Sequence, residues 1–116
     1  MGLVYLNGEF KPIEEASINV LDRGFIFGDG IYEVIPIFNR KIFRFSEHMM
    51  RLENSLREIY MSNPLKENEW RDVFHKLIDS LEQANQSIYV QITRGVSRRD
   101  HDIGIADKPT IFAMSR

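Results

Sequence analysis

Ile31-Tyr32-Glu33-Val34-Ile35-Pro36-Ile37-Phe38 is β-branched and aromatic almost throughout, and its reading decides the fold. Successive side chains of a strand point to opposite faces, so Tyr32 and Val34 share one face and Glu33 and Ile35 the other. Pro36 has no N–H to give to a ladder, which places this strand at a sheet edge or a bulge. Asn39-Arg40 turns the chain back into a second strand over residues 42–45, although the β-carbon of Arg40 resists the positive φ that such a turn asks for. Upstream, Val4 to Leu6 and Phe10 flank Asn7-Gly8, a dipeptide that accepts positive φ at both turn positions and closes a hairpin.

Downstream the period changes. Ser46 reads as an N-cap, and Met49, Leu52, Leu56, Ile59 and Tyr60 follow at steps of three and four, so one helix runs up to Asn63-Pro64. Trp70, Val73, Phe74, Leu77, Ile78 and Leu81 repeat the stripe in a second helix. Ile88, Val90 and Ile92 then alternate with Tyr89, Gln91 and Thr93 in a strand, and residues 110–114 supply another after a polar loop over 95–109. Strands, two helices and strands again predict an α+β domain in which an antiparallel sheet packs against both helices.

Composition narrows the classes. The chain has 116 residues, 43% of them hydrophobic, enough for one core but not comfortably for two, so one domain over 1–116 is expected. A net charge of -2 and a pI near 5.9 argue against a nucleic-acid partner. Arg94, Arg98 and Arg99 form the one dense basic run, which suits a small anion better than a polyphosphate, or else a solvated turn. Without cysteine there is no disulfide framework, thiolate metal site or cysteine nucleophile, and the cytoplasm is the expected compartment. No apolar run reaches membrane-spanning length, and the first residues lack the order of a signal peptide. His48, His75 and His101 have no paired ligand spacing, so no metal is expected. Gly28-Asp29-Gly30 lacks the spacing of a dinucleotide loop and opens a strand, not a helix.

The run Asp22-Arg23-Gly24-Phe25-Ile26-Phe27-Gly28-Asp29-Gly30-Ile31-Tyr32-Glu33-Val34, with Glu47-His48, Arg51-Leu52 and Gln91-Ile92-Thr93-Arg94-Gly95 after it, resembles the D-amino acid transaminases. These are fold-type IV pyridoxal phosphate enzymes, related to branched-chain transaminases and aminodeoxychorismate lyases. Spacing alone makes Arg51 a surface arginine on the helix flank. The resemblance implies that it binds the cofactor's phosphate, a task suited to a permanently charged, forked donor. It likewise implies that Tyr32 donates its hydroxyl to the substrate carboxylate from a rigid strand, with Val34 in the pocket wall. Arg99 and His101, one residue apart in a polar loop, would complete a carboxylate trap with Tyr32, and that loop would reach into the neighbouring subunit's site, so a homodimer is implied. Asp22-Arg23 and Glu33 are explained equally well as a structural ion pair or a solvated edge charge, and receive no role.

Pyridoxal phosphate transamination also requires a lysine for the internal Schiff base and an acidic partner for the pyridine nitrogen. The resemblance places both in a C-terminal domain that is absent from these residues. None of Lys11, Lys41, Lys66, Lys76 or Lys108 matches the family's lysine, so this chain alone is expected to be inactive. The expected function is therefore the N-terminal domain of an enzyme that moves the amino group of D-alanine or another D-amino acid to a 2-oxo acid. The alternatives are an aminodeoxychorismate lyase, a branched-chain transaminase, or a non-catalytic dimerisation module. The Arg99-x-His101 pair argues against the first two, and Arg51, which has no evident purpose without a cofactor, against the third.

Overall fold

A computed structural model describes residues 2–106 and 108–116, with the side chain of Ile105 also outside the description. Asp107, within the expected polar loop, thus lies outside the described residues. Strands β1 (Leu3–Leu6) and β2 (Glu9–Pro12) form the opening hairpin, and Asn7 and Gly8 have φ of 50° and 94°, as a two-residue turn requires. A short helix α1 (Arg23–Phe27) precedes β3 (Gly30–Phe38) and β4 (Lys41–Ile42). Helices α2 (Phe45–Glu58) and α3 (Glu67–Asp79) follow, then β5 (Gln86–Thr93) and β6 (Thr110–Ser115). The six strands make one sheet in the order β2-β1-β6-β5-β3-β4, with every neighbouring pair antiparallel. The α+β architecture read from the periodicities is the architecture observed.

One sheet face is covered by the helices. Ile35, Ile37, Ile88, Val90, Ile92 and Ala113 meet Leu52, Leu56, Trp70, Phe74, Leu77 and Ile78, all essentially inaccessible to solvent. The other face carries Tyr32, Val34, Tyr89, Gln91 and Phe112, with Tyr32 opposite Gln91 and Val34 opposite Tyr89. Tyr32 is 66% exposed and Val34 42% exposed, so the two faces differ as the alternation demanded. Pro36 sits where it can: β4 pairs only with the end of β3, and the carbonyl of Pro36 accepts from Phe43 N–H at 3.0 Å on that outer flank. Its missing N–H therefore faces away from β5 and costs no ladder bond.

Four local expectations need correction. The strand expected over 42–45 ends at Ile42, because Phe45 turns into the core and packs edge-on against Phe74 at 6.1 Å. Consequently α2 starts at Phe45, and Arg44 in a left-handed conformation is its N-cap, with no side-chain cap bond; Ser46 lies inside the first turn. Tyr60, with φ of 62°, lies past the helix end and is 86% exposed, outside the apolar stripe. Leu81 lies beyond the end of α3 and is only half-buried. Arg40 does adopt the awkward turn conformation, with φ of 63°. Its guanidinium offsets the strain by donating to the carbonyls of Ile78, Leu81 and Gln83, each at 3.0 Å, at the C-terminal end of α3.

Candidate active site

Tyr32 and Val34 stand side by side on the open face of β3, ahead of the short stretch that pairs with β4, held by an eight-residue register with β5. The ring of Tyr32 stacks on Tyr89, with centroids 5.9 Å apart and planes 24° from parallel. Tyr89 in turn donates its hydroxyl to Gln91 Oε1 at 2.7 Å. Burial, and then the neighbouring Tyr32 phenol, push the Tyr89 hydroxyl's pKa up, so it stays a neutral donor. The Tyr32 hydroxyl has no hydrogen-bond partner among the described residues, while its ring is fixed by the stack. Tyr89 was readable as a strand residue, but only the β3 to β5 register puts it under Tyr32. Gly24, Gly28, Gly30 and Ile31 join Tyr32, Tyr89 and Gln91 around a shallow cleft of about 150 Å³. A larger hollow of about 280 Å³ further along the same face, between Leu6, Ile18, Gln91 and Phe112, has no ionisable lining residue.

Arg51 extends from α2 to the strand residue next to Tyr32. Its Nη2 lies 3.2 Å from Glu33 Oε1, and the arginine side chain is 70% exposed while that of Glu33 is 7% exposed. A buried carboxylate thus anchors one end of the fork and leaves the other donors open to an anion. Glu33 Oε1 also accepts from Val34 N–H at 3.2 Å, and Oε2 lies 3.8 Å from the buried Nδ1 of His48, which has no hydrogen-bond partner among the described residues. Glu33, assigned no role from sequence, is the residue that holds Arg51. A charged residue inside a strand gives no local sign that a helix cation will cover it. The exposed, one-end-anchored guanidinium fits the phosphate of a cofactor such as pyridoxal phosphate.

Arg99 and His101 share a platform. The Arg99 guanidinium carbon lies 5.6 Å from the centre of the Phe27 ring, and the His101 ring lies 5.2 Å from it. Both are exposed, and no contact joins either to Tyr32 or Arg51 among the described residues. Of the four residues singled out from the sequence, the structure brings together only Arg99 and His101, on Phe27; Tyr32 stands on the open sheet face against Tyr89, and Arg51 on the helix side of the same strand against Glu33.

Beneath Arg99 and His101 lies an ion cluster. Asp29 Oδ2 accepts from Arg23 Nε and Arg94 Nε, each at 2.8 Å, and all three side chains are at least 85% buried. Burial works to raise the Asp29 pKa, but hydrogen bonds and charge from Arg94 and Arg23 outweigh it and hold the carboxyl below its usual range. Arg23 also donates to the carbonyl of Asp100, and Arg94 Nη2 to that of Ile59 at 2.6 Å. Asp22 is wholly buried and accepts from Thr93 Oγ1 at 2.6 Å, Thr110 Oγ1 and Gly24 N–H. The structural ion pair expected at Asp22-Arg23 is observed for Arg23 alone, with Asp29; Asp22 is held by hydroxyl and amide donors instead. Gly95 closes this region with φ of 104°, and a β-carbon there would collide with the carbonyl of Lys108. Gly95→Ala is expected to cost about 1–3 kcal/mol, read as a lower denaturation midpoint; an unchanged midpoint would contradict the packing.

The five lysines are all exposed or half-exposed. Lys11 pairs with Glu9 at 3.3 Å and Lys76 lies 4.6 Å over the Phe10 ring. None lines the cleft beside Tyr32. Among the described residues there is no cluster of metal-ligating side chains, and no helix is long and apolar enough to cross a membrane.

The fold is shared with solved aminotransferases. A branched-chain amino acid aminotransferase from T.th., complexed with N-(5'-phosphopyridoxyl)-L-glutamate, superposes with a TM-score of 0.89 at 23% identity, over 98% of this chain and 40% of that one. The Escherichia coli branched-chain amino acid aminotransferase does so with a TM-score of 0.87 at 18% identity, over 99% and 40%. Residues 30–116 match the family model described as amino-transferase class IV, and the chain belongs to that family. In sequence, the D-alanine aminotransferase of Staphylococcus aureus (strain N315) is 38% identical over 117 residues, covering 100% of this chain and 42% of that protein. The D-alanine aminotransferase of Bacillus licheniformis is 36% identical over 112 residues, covering 97% and 40%. The chain thus spans about two fifths of the length of these curated relatives.

Proposed function

We propose that this chain supplies part of the active site of a pyridoxal phosphate-dependent D-amino acid transaminase, which passes the amino group of D-alanine or a similar D-amino acid to a 2-oxo acid such as 2-oxoglutarate. The observation that carries the proposal is that one strand presents a two-thirds exposed phenol, on a tyrosine stacked against Tyr89, on one face and holds an exposed guanidinium by one end, through Glu33, on the other. Tyr32 donates to the substrate carboxylate, Val34 limits the side chain that fits beside it, and Arg51 takes the cofactor phosphate. Bound pyridoxal phosphate supplies the electron sink for amino-group transfer. Arg99 and His101 stand on Phe27 without reaching Tyr32, which supports their serving the site of a second copy of the chain in a homodimer. The 38% identity over the whole of this chain to a D-alanine aminotransferase supports the D-amino acid reading.

The anchoring lysine comes, in this reading, from outside the 116 residues, because the five lysines are exposed or half-exposed and none lines the cleft beside Tyr32. The 116 residues alone, given pyridoxal phosphate, D-alanine and 2-oxoglutarate, should form no pyruvate above blank; steady turnover would contradict this. In the native protein, Tyr32→Phe removes one hydrogen bond to a charged group, a loss of about 1.5–3 kcal/mol. The KM for D-alanine should rise about tenfold to a hundredfold with cofactor affinity unchanged. An unaltered KM would remove Tyr32 from the carboxylate site.

A further inference from the structure

We infer that Arg23 and Phe27 are positioning residues for the carboxylate trap: together they fix the Arg99-x-His101 segment whose side chains select a carboxylate-bearing substrate. The inference rests on the proposed function and assigns work to two residues outside its binding set. Arg23 donates Nη1–H to the carbonyl of Asp100, the residue between Arg99 and His101. Its Nε is held at 2.8 Å by Asp29 Oδ2, and its guanidinium carbon lies 4.7 Å from the centre of the Phe27 ring. On that same ring rest Arg99, at 5.6 Å, and the His101 ring, at 5.2 Å. One buried arginine thus pins the backbone at the midpoint of the pair, and one aromatic ring supports both side chains.

The chemistry gives this arrangement a purpose. Two exposed side chains on a polar loop lose considerable rotamer freedom when they close on a ligand, and each Å of misplacement weakens a forked carboxylate contact. Pinning the backbone between them and resting both on a ring removes part of that cost beforehand. Arg23 itself is 95% buried at its side chain and so cannot reach a substrate; it acts through the loop. Lysine at this position keeps the charge beside Asp29 but lacks the fork, so it cannot serve Asp29 and the Asp100 carbonyl in the same geometry.

The test compares Arg23→Lys and Phe27→Leu with the native protein, measuring kcat and KM for D-alanine and pyridoxal phosphate affinity by absorbance titration. Both variants should raise KM about tenfold, leave kcat within about threefold and leave cofactor affinity unaltered, because Glu33 and Arg51 are untouched. A merely structural role would lower thermal stability and leave that KM against kcat split absent. Should Arg23→Lys fail to fold, Phe27→Leu, which alters no charge, decides alone. A KM within twofold of the native value, or a parallel loss of cofactor affinity, overturns the inference while native turnover of D-alanine upholds the proposed function. A native protein that does not turn over D-alanine overturns the function and the inference with it.

Discussion

Replacing Arg51 by alanine in the native protein is expected to weaken pyridoxal phosphate binding about tenfold to fiftyfold, with little change in the rate of the fully loaded enzyme. A charge-assisted hydrogen bond contributes about 1.5–3 kcal/mol, and the upper end is discounted here because Arg51 is 70% exposed and water competes for its donors. The fork matters as well as the charge, so Arg51→Lys should fall between the native protein and the alanine variant. Alanine also leaves Glu33, 7% exposed, with only the Val34 N–H and the distant His48 ring beside its carboxylate among the described residues. The melting temperature should therefore fall even without cofactor. Titration of the apoprotein with pyridoxal phosphate gives the first result and a thermal melt the second. An unchanged dissociation constant would take the phosphate away from Arg51.

Asp29→Asn is expected to destabilise the fold by about 3–5 kcal/mol, the usual outcome of removing one partner from a buried ion pair. Two guanidiniums converge on one carboxylate oxygen, and side-chain exposures of 5%, 10% and 15% leave little water to replace it. Asparagine keeps the shape but presents Arg23 and Arg94 to each other uncompensated. The acid side supplies an internal check. The Asp29 carboxyl is held below its usual range, so its contribution is fully present above the unfolded value of about 3.9 and is lost as pH falls through the lower folded value. The stability gap between the native protein and the variant should accordingly be constant from neutral pH down to about pH 4 and narrow only below it. Urea denaturation at several pH values measures the gap. A variant as stable as the native protein at pH 7 would show that the cluster contributes nothing net.

Elements whose signal lies in a few adjacent residues were legible in the sequence. Asn7-Gly8 closed its hairpin, residues 31–38 put Tyr32 and Val34 on the face away from the core, and both helical stripes packed against the sheet. Boundaries shifted where tertiary packing outweighed local preference. Phe45 entered the core, so Ser46 lost the cap position to Arg44, which has neither a capping side chain nor a comfortable φ. The links between site residues were not legible, because they join positions far apart in the chain. Arg51 meets Glu33 from another element, Arg94 crosses 65 residues to Asp29, and Arg23 crosses 77 to the Asp100 carbonyl. A period of two or 3.6 reports which face a residue takes and carries no information on its partner across the fold.

The measurement that tests the central claim most directly is pyruvate formation from D-alanine and 2-oxoglutarate by the native protein, set beside amino transfer from L-leucine and pyruvate release from aminodeoxychorismate. A half-site built from Tyr32, Arg51, Arg99 and His101 predicts turnover of D-alanine, with a kcat/KM well above that for L-leucine, and no lyase reaction. Turnover of L-leucine or aminodeoxychorismate without D-alanine would contradict it.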